Sequence, residues 1–184
     1  WEAVDAGFDI REGDATIAAR SAAAQGRMLE YGAALIAGKR ANPTDDMLSI
    51  LVHATLADVD PPQLTAVELY SFFSLLFAAG SETTRNAIAG GLLALVERPD
   101  QLHELREDLG LLPGAIEEML RWTTPSPAKR RTATRRTRLA GHTIEPGDKV
   151  LFWEGSANRD EQVFEQSMRF DIRRDPNPHL SFGH

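Results

Sequence analysis

The longest helical pattern in this sequence passes through its centre and limits what the chain can fold into. Thr65-Ala66-Val67-Glu68 has the residues of a capping box, in which a threonine and a glutamate each bond the other's backbone. Apolar residues then recur at helical spacing as far as Val96. The pattern predicts one helix of about 30 residues, longer than most helices of globular proteins. Because apolar residues surround much of its first half, we expect this helix to cross the middle of a large core.

Shorter helical patterns lie on both sides of the central one. An alanine-rich segment from about Asp14 to Lys39 favours a helix, and Thr44 is expected to cap a second one. Pro99 and Pro113 each suit the first turn of a further helix, with Gly110 closing the first of the two. The last helix of this series is expected to end near Trp122.

Short extended pieces and turns replace the helical pattern from Thr123 onward. We expect a small sheet from the extended pieces, turns at Ala140-Gly141-His142 and Pro146-Gly147-Asp148, and a short helix near Arg159 to Phe164. The predicted fold class is therefore mainly α with a small β appendage. We predict a single partial domain over residues 1–184, helical over 1–122 and β-rich and irregular over 123–184.

Composition excludes several classes of protein. The formal net charge of -7 argues against nucleic acid as a partner. Six of the ten residues from Lys129 to Arg138 are basic, which is typical of a solvated face. The sequence has no cysteine, so it holds no disulfide or zinc-thiolate site, and no apolar stretch reaches the length of a membrane span. We expect no membrane span and no targeting segment, because the chain opens at Trp1 without a basic and apolar leader.

Ala79-Gly80-Ser81-Glu82-Thr83-Thr84 places small residues, an acid and hydroxyls in the centre of the long helix. Gly80 costs about 1 kcal/mol relative to alanine inside a helix, and the Thr83 hydroxyl can bond a carbonyl one turn earlier. The gap that results could admit a flat or diatomic ligand. A packing notch against a neighbouring helix is an equal alternative from these residues alone.

Glu118 and Arg121 are three residues apart in the last predicted helix and can form a charge-assisted pair on one face. A second Glu-x-x-Arg pattern occurs at Glu82 and Arg85. By itself this spacing fits a plain surface ion pair.

The order of these segments resembles that of the cytochrome P450 family over essentially the whole chain. The central-helix segment 79–84 is similar to the oxygen-activation motif of that family, Glu118-Met119-Leu120-Arg121 to its Glu-x-x-Arg helix, and Arg131-Thr132-Ala133 to a strand that offers an arginine to a haem propionate. Three later segments resemble the closing part of bacterial members in the same order: Ser156 to Asp160, Phe170 to Arg173 and Pro176 to His184.

The resemblance implies a haem b cofactor and roles for particular residues. Ala79, Gly80 and Phe182 would lie against the haem, and Thr83 and Glu82 would be catalytic: Thr83 would hydrogen-bond dioxygen and, with Glu82, relay the protons for O–O cleavage. The propionates would be held by Arg131, for which Arg130 is the alternative, and by His179. Glu118 and Arg121 would be structural and lock their helix to the segment around Asn158 and Phe170. A substrate pocket would be lined by Phe73, Phe77, Ala78 and the Thr124–Pro127 segment with Ser126.

The same resemblance implies a haem-dependent monooxygenase that inserts one oxygen atom from O2 into an apolar substrate of steroid, fatty acid or terpenoid type. The axial cysteine of the iron is expected beyond His184, so the 184 residues would be a fragment of the enzyme and hold no metal ligand themselves. Electrons would come from NAD(P)H through ferredoxin and ferredoxin reductase, in the cytoplasm. A non-enzymatic helical binding module, whose basic run docks an acidic partner, and a degenerate family member without haem are the alternatives.

Overall fold

The computed structural model describes residues 15–183 and is helical over its first two thirds. The expected helix start at Asp14 and the closing His184 lie outside the described residues. The α-helices are α1 (Ala15–Ala41), α2 (Met47–His53), α3 (Ala66–Val96), α4 (Pro99–Glu107), α5 (Leu112–Thr123) and α6 (Glu154–Ala157). The predicted long central helix is confirmed as α3, and its capping box forms: the Glu68 backbone N donates to Thr65 Oγ1 at 3.3 Å, and Thr65 N donates to Glu68 Oε2 at 2.8 Å.

The β appendage consists of two separate pairs of antiparallel strands. Strand β1 (Ala128–Thr132) pairs with β4 (Lys149–Trp153), and β2 (Thr137–Leu139) pairs with β3 (His142–Ile144). The prediction of one small sheet is therefore wrong, because the strands form two separate pairs. The predicted fold class, mainly α with a small β appendage, is confirmed. The predicted turns form because Ala140 and Gly141, and then Gly147, adopt positive φ angles, which glycine adopts without a steric penalty.

Three local predictions are wrong, because a neighbouring residue caps the helix or a turn replaces it. The cap of α2 is Asp46, and Thr44 is two residues too early; the Asp46 side chain accepts a hydrogen bond from Ser49 N at 2.9 Å. Gly110 lies within a 3-10 turn and does not close α4, whose cap is Asp108. The short helix expected near Arg159 to Phe164 is instead α6, and turns follow it.

The described chain divides into two compact units between Glu82 and Thr83. In the first unit, Ile36 of α1, Val52 of α2 and Leu69 of α3 form a buried cluster. Gly32 allows α1 to approach Phe73 closely, because a Cβ at this position would lie 2.8 Å from the Phe73 ring. The Phe73 ring of α3 therefore packs directly over a glycine of α1.

The core of the second unit lies where α3, α4 and α5 meet the segment that follows α6. Its buried apolar residues are Ala94, Leu95, Leu105, Ala115, Phe170 and Ile172. Gly90 and Gly91 bring α3 and α5 together, since a Cβ at Gly90 would lie 2.7 Å from Thr123 and one at Gly91 2.8 Å from Met119. This close approach fixes the position of α5, which carries the Glu-x-x-Arg motif.

Much of the apolar surface of α3 remains exposed. Val67 is 74% exposed and Leu75 is 62% exposed, whereas Leu69 is buried. The expectation that α3 crosses the middle of a large core is therefore not met within residues 15–183, which supply too few partners to cover the helix. None of the described helices combines the length and the apolar character that a membrane crossing requires.

Asp46 connects the start of α2 to the end of α1 through several hydrogen bonds. Its carboxylate forms an ion pair with Lys39 and accepts a hydrogen bond from Thr44 Oγ1 at 2.5 Å. The Lys39 ammonium, the Thr44 hydroxyl and the Ser49 amide hold the pKa of Asp46 well below its usual range. A carboxyl group with a lowered pKa stabilises the folded chain above its ordinary pKa of about 4, and that contribution is lost as the pH falls through the folded value.

We predict that acid weakens α2 through this one group. As the pH falls below about 4, amide protection of Met47–His53 against hydrogen exchange should decrease in the wild-type chain. Asp46→Asn should keep the cap, because asparagine caps helices as well as aspartate, but should remove this part of the pH dependence. An identical pH dependence in both proteins, after correction for intrinsic exchange, would contradict the assigned role of Asp46.

Candidate functional site

Glu118 and Arg121 form an ion pair that is completely buried within the second unit. Helix α5 places them one turn apart, and both side chains are 0% exposed. Arg121 Nε donates to Glu118 Oε2 at 2.7 Å and Nη2 donates to Oε1 at 2.8 Å, so the pair is bidentate. A plain surface ion pair is therefore excluded.

The other N–H groups of Arg121 bond backbone carbonyls far away in the sequence. Nη1 donates to the carbonyls of Asn158 and Ser167 at 2.7 and 2.9 Å, and Nη2 donates to that of Arg169 at 3.1 Å. With the two bonds to Glu118, these use all five donors that a guanidinium has. Arg121 thus attaches α5 to the segment after α6 and has no donor left for a ligand.

Glu118 accepts hydrogen bonds from the same distant segment. Its Oε1 accepts from Asp171 N at 2.8 Å, and its Oε2 accepts from Arg174 Nε at 3.1 Å and Asn177 Nδ2 at 3.2 Å. A buried carboxylate is stable only when its charge is compensated and its lone pairs are bonded. Both requirements are met here, and the result is a fixed path for residues 167–177.

Asn158 extends this network toward the end of the described chain. Its side-chain amide donates to Thr124 Oγ1 at 2.9 Å and to Ser181 Oγ at 3.0 Å, and its Oδ1 accepts from Leu180 N at 2.7 Å. Ser181 Oγ in turn donates to the carbonyl of Leu120 at 2.8 Å. The segment Leu180–Gly183 is therefore held against the C-terminal end of α5.

A cavity of about 380 Å³, here called the threonine cavity, opens beside this segment. It brings together three of the predicted site residues, Thr83 of α3, Ser126 and Phe182. The walls are mostly apolar with hydroxyl groups between them, and the residues that line it are Thr83, Thr84, Ala87, Ile88, Leu120, Pro125, Ser126, Lys129, Ser181 and Phe182.

A second cavity of about 260 Å³, here called the strand cavity, lies along β1 and β4. It is lined by Lys129, Arg131, Phe152, Trp153, Glu154, Ala157, Leu180 and Gly183. Residues 129 and 131 share one face of β1 because side chains alternate along a strand. Arg131 thus lies at this cavity and Arg130 does not line it, so the geometry favours Arg131 over its alternative.

His179 occupies a different place from the one that its predicted role suggests. Its side chain is 4% exposed, and its Nε2 lies 2.7 Å from Glu117 Oε2. Its Nδ1 accepts a hydrogen bond from Ser181 N at 3.3 Å. Because both ring nitrogens are engaged and the ring lines neither cavity, a contact with a propionate requires His179 to leave Glu117. That contact stays a prediction.

The predicted residues of the first unit lie on α3. Ala79 and Gly80 are exposed, and a Cβ added to Gly80 would meet no atom within 4 Å, so the gap expected there is open. The Ser81 hydroxyl in this segment donates to the carbonyl of Phe77, one turn earlier, at 2.6 Å. Glu82 is half-buried. Predicted pocket residue Ala78 is exposed.

The two predicted pocket phenylalanines differ in burial. Phe73 is 9% exposed and its ring packs between those of Tyr31 and Phe77, with centroids 6.2 Å away on each side. Phe77 is 38% exposed. Phe73 therefore already has a packing role in the first unit, and a substrate contact of either ring stays a prediction.

Sequence reasoning missed Lys129 and Glu154 as site residues. Lys129 lines both cavities, and its Nζ lies 2.5 Å from both carboxylate oxygens of Glu154. The sequence shows Lys129 only as part of a basic run, and the two residues are 25 positions apart. Their contact depends on the β1–β4 register, in which Lys129 pairs with Phe152, and no local pattern indicates it.

Comparison with known proteins decides the family. The family model described as Cytochrome P450 matches residues 20–177. The chain belongs to the cytochrome P450 family. A Mycobacterium tuberculosis protein named cytochrome P450 126 is 58% identical over the whole chain, which covers 45% of that protein. A methyl-branched lipid omega-hydroxylase and a steroid C26-monooxygenase of the same organism are 47% and 43% identical over 83% and 84% of the chain, covering 35% and 38% of their lengths.

Solved structures agree with this assignment of fold. The cytochrome P450 PksS of Bacillus subtilis 168 superposes with a TM-score of 0.88 at 36% identity, covering 99% of this chain and 46% of that one. The chain thus spans less than half the length of these P450 relatives.

The cavities of this P450 chain suit the chemistry of a haem. The apolar walls of the threonine cavity fit a flat macrocycle, and the cations Lys129 and Arg131 at the strand cavity fit its carboxylates. Within residues 15–183, no group of three or more His, Asp or Glu side chains is arranged to hold a metal ion. The described residues therefore fit the macrocycle and its carboxylates.

We predict that Arg121→Lys lowers the free energy of unfolding by about 3–5 kcal/mol, because a lysine cannot satisfy Glu118 and three carbonyls together and leaves buried polar groups unpaired. Arg173→Lys is the matched control. Arg173 forms an exposed ion pair with Glu104, so its replacement should change stability by less than about 1 kcal/mol. Urea unfolding of both variants measures the difference, and equal effects would contradict the anchoring role.

Proposed function

We propose that this chain is part of a haem-dependent monooxygenase that inserts one oxygen atom from O2 into an apolar substrate. The observation that carries the proposal is the threonine cavity, where Thr83 of the oxygen-activation motif and Phe182 line the same apolar space. When bound, the haem supplies the iron chemistry that activates dioxygen. A cysteine ligand for the iron would come from residues beyond His184, since the 184 residues contain no cysteine.

Thr83 and Glu82 would transfer protons at this cavity. A threonine hydroxyl both donates and accepts hydrogen bonds, so Thr83 can hold a proton at the cavity wall. Glu82 precedes it on α3 and is half-buried, which allows it to exchange protons with water. Ala79 and Gly80, one turn earlier on the helix, have no bulky side chain to obstruct a flat ligand.

The anionic edge of the haem would lie toward β1. Arg131 is the proposed partner of a propionate, because its planar fork matches a carboxylate and its side chain lines the strand cavity. Arg131 Nη1 donates a hydrogen bond to the carbonyl of Arg130 at 3.1 Å, a solvent-exposed contact that a carboxylate can replace. His179 would be the partner of the other propionate once released from Glu117.

The substrate would be a steroid or a branched lipid of the kind named for two relatives. The cavity walls support this class, because Ala87, Ile88 and Leu120 offer apolar contact, with Ser126 as a hydroxyl group for orientation. Phe73, Phe77 and Ala78 are the proposed pocket residues on the first half of α3. Electrons would come from NAD(P)H through ferredoxin and ferredoxin reductase, and we propose a cytoplasmic location.

A carbon-monoxide difference spectrum of the reduced full-length protein tests the proposal. A strongly red-shifted Soret band is expected, because a thiolate ligand to the haem iron has this effect. If a folded full-length protein takes up no haem, the proposal is overturned, and a helical binding module or a degenerate family member becomes the better interpretation.

We predict further that Thr83→Ala uncouples NAD(P)H consumption from product formation. Loss of the hydroxyl should lower product formed per NAD(P)H by about 10²-fold, the lower end of what general acid–base groups contribute, while haem content stays unchanged. Thr137→Ala, on the exposed strand β2, is the control. Unchanged coupling in Thr83→Ala would contradict the proton role, and Thr83→Ser should restore coupling in part.

A further inference from the structure

Lys129 is the residue that the two cavities share. Its side chain is 28% exposed and lines both the threonine cavity and the strand cavity. Its ammonium forms two 2.5 Å contacts with Glu154, the first residue of α6, whose side chain is 7% exposed. A lysine ammonium has three N–H donors. Within residues 15–183, Glu154 is its hydrogen-bond partner, so one donor remains for another acceptor.

The position of this ammonium is fixed by the fold around it. The β1–β4 register places Ala128 opposite Trp153, so that Glu154 follows directly where the strand pair ends. Gly183 packs beside the pair, since a Cβ added there would lie 3.5 Å from Lys129 Nζ and 3.7 Å from Glu154 Oε1. The pair therefore occupies a defined place next to the segment Leu180–Gly183.

The charges around the strand cavity leave an excess of one cation. Lys129 and Arg131 contribute two positive charges to its lining, and Glu154 contributes one negative charge. The remaining walls include the rings of Phe152 and Trp153 and the side chain of Leu180. A flat apolar group with carboxylates at its edge matches this combination of apolar walls and unbalanced positive charge.

We propose that Lys129 is a second cation for a carboxylate of the bound haem, and that Glu154 is a positioning residue that holds its ammonium between the two cavities. This inference rests on the proposed function. Glu154 restrains Lys129 and also offsets part of its charge. The two residues therefore have opposite effects on a carboxylate placed between Lys129 and Arg131.

The test uses the full-length holoprotein, with two measurements that do not depend on turnover. These are the rate of haem transfer to an excess of apomyoglobin and the reduction potential of the haem iron. Lys129→Met should speed haem loss about tenfold, the effect of losing one hydrogen bond to a charged group. It should also lower the potential, because a positive charge near the iron stabilises the reduced form. Glu154→Gln should raise the potential.

Lys129→Met leaves the Glu154 carboxylate buried without its cation and could prevent folding. The double variant Lys129→Met/Glu154→Gln removes both charges and should fold, but should still lose haem faster than the wild type. Lys149→Met is the control for charge, because Lys149 lies on the neighbouring strand β4 and bonds Thr132 Oγ1; it should leave both measurements unchanged.

The outcomes distinguish this inference from the function on which it rests. If the wild-type protein holds haem and the double variant releases it at the wild-type rate, the role of Lys129 is overturned and the monooxygenase proposal stands. The same holds if Glu154→Gln and Lys129→Met shift the potential in the same direction. If the folded wild-type protein binds no haem, both proposals fall together.

Discussion

The buried ion pair between Glu118 and Arg121 is the interaction on which the second unit depends. Two fully desolvated charges are costly unless each is compensated and its hydrogen-bonding groups are used. Here the carboxylate accepts from five groups and the guanidinium uses all of its donors. Most of those partners lie in residues 158–177, a segment with little regular structure of its own. The pair therefore supplies what a helix or sheet would otherwise supply, a fixed backbone path.

That fixed path determines the geometry of the cavities. Arg121 holds the carbonyl of Asn158, and the Asn158 side chain then bonds Thr124, Leu180 and Ser181. Phe182 and Gly183, which line the two cavities, follow directly in the chain. A disturbance at the buried pair thus reaches the cavity walls through two hydrogen bonds, because Leu180 and Ser181 themselves line the cavities. The Glu-x-x-Arg motif therefore shapes the cavity walls although Arg121 has no N–H donor left for a ligand.

Local sequence signals predicted most helices and turns of this fold. Contacts between residues far apart in the sequence were not predicted, because no local pattern indicates them. The capping box at Thr65, the prolines at the starts of α4 and α5 and the glycine turns at 141 and 147 act over a few residues, and each was predicted correctly. The β1–β4 register joins residues that are 17 to 25 positions apart, so the Lys129–Glu154 contact could not be predicted from the sequence. The place of His179 was missed for the same reason, because Glu117 lies 62 positions away. The order of the motifs identified the family. The predicted cap at Thr44 was wrong, because Asp46 is a better N-cap residue and lies closer to the start of α2.

Arg121 differs from Lys129 and Arg131 in how many of its N–H donors are already bonded to protein. Arg121 has every N–H bonded to protein and is fully buried, so any ligand would have to displace a structural bond. Lys129 keeps one donor beyond its contacts with Glu154, and Arg131 is exposed at the cavity, where it donates to the carbonyl of Arg130. A group with negative charge therefore meets Lys129 and Arg131 at little cost to the fold, while it cannot recruit Arg121. Arginine therefore anchors the backbone at position 121 and remains available to a ligand at position 131, and the number of N–H groups already bonded to protein makes the difference.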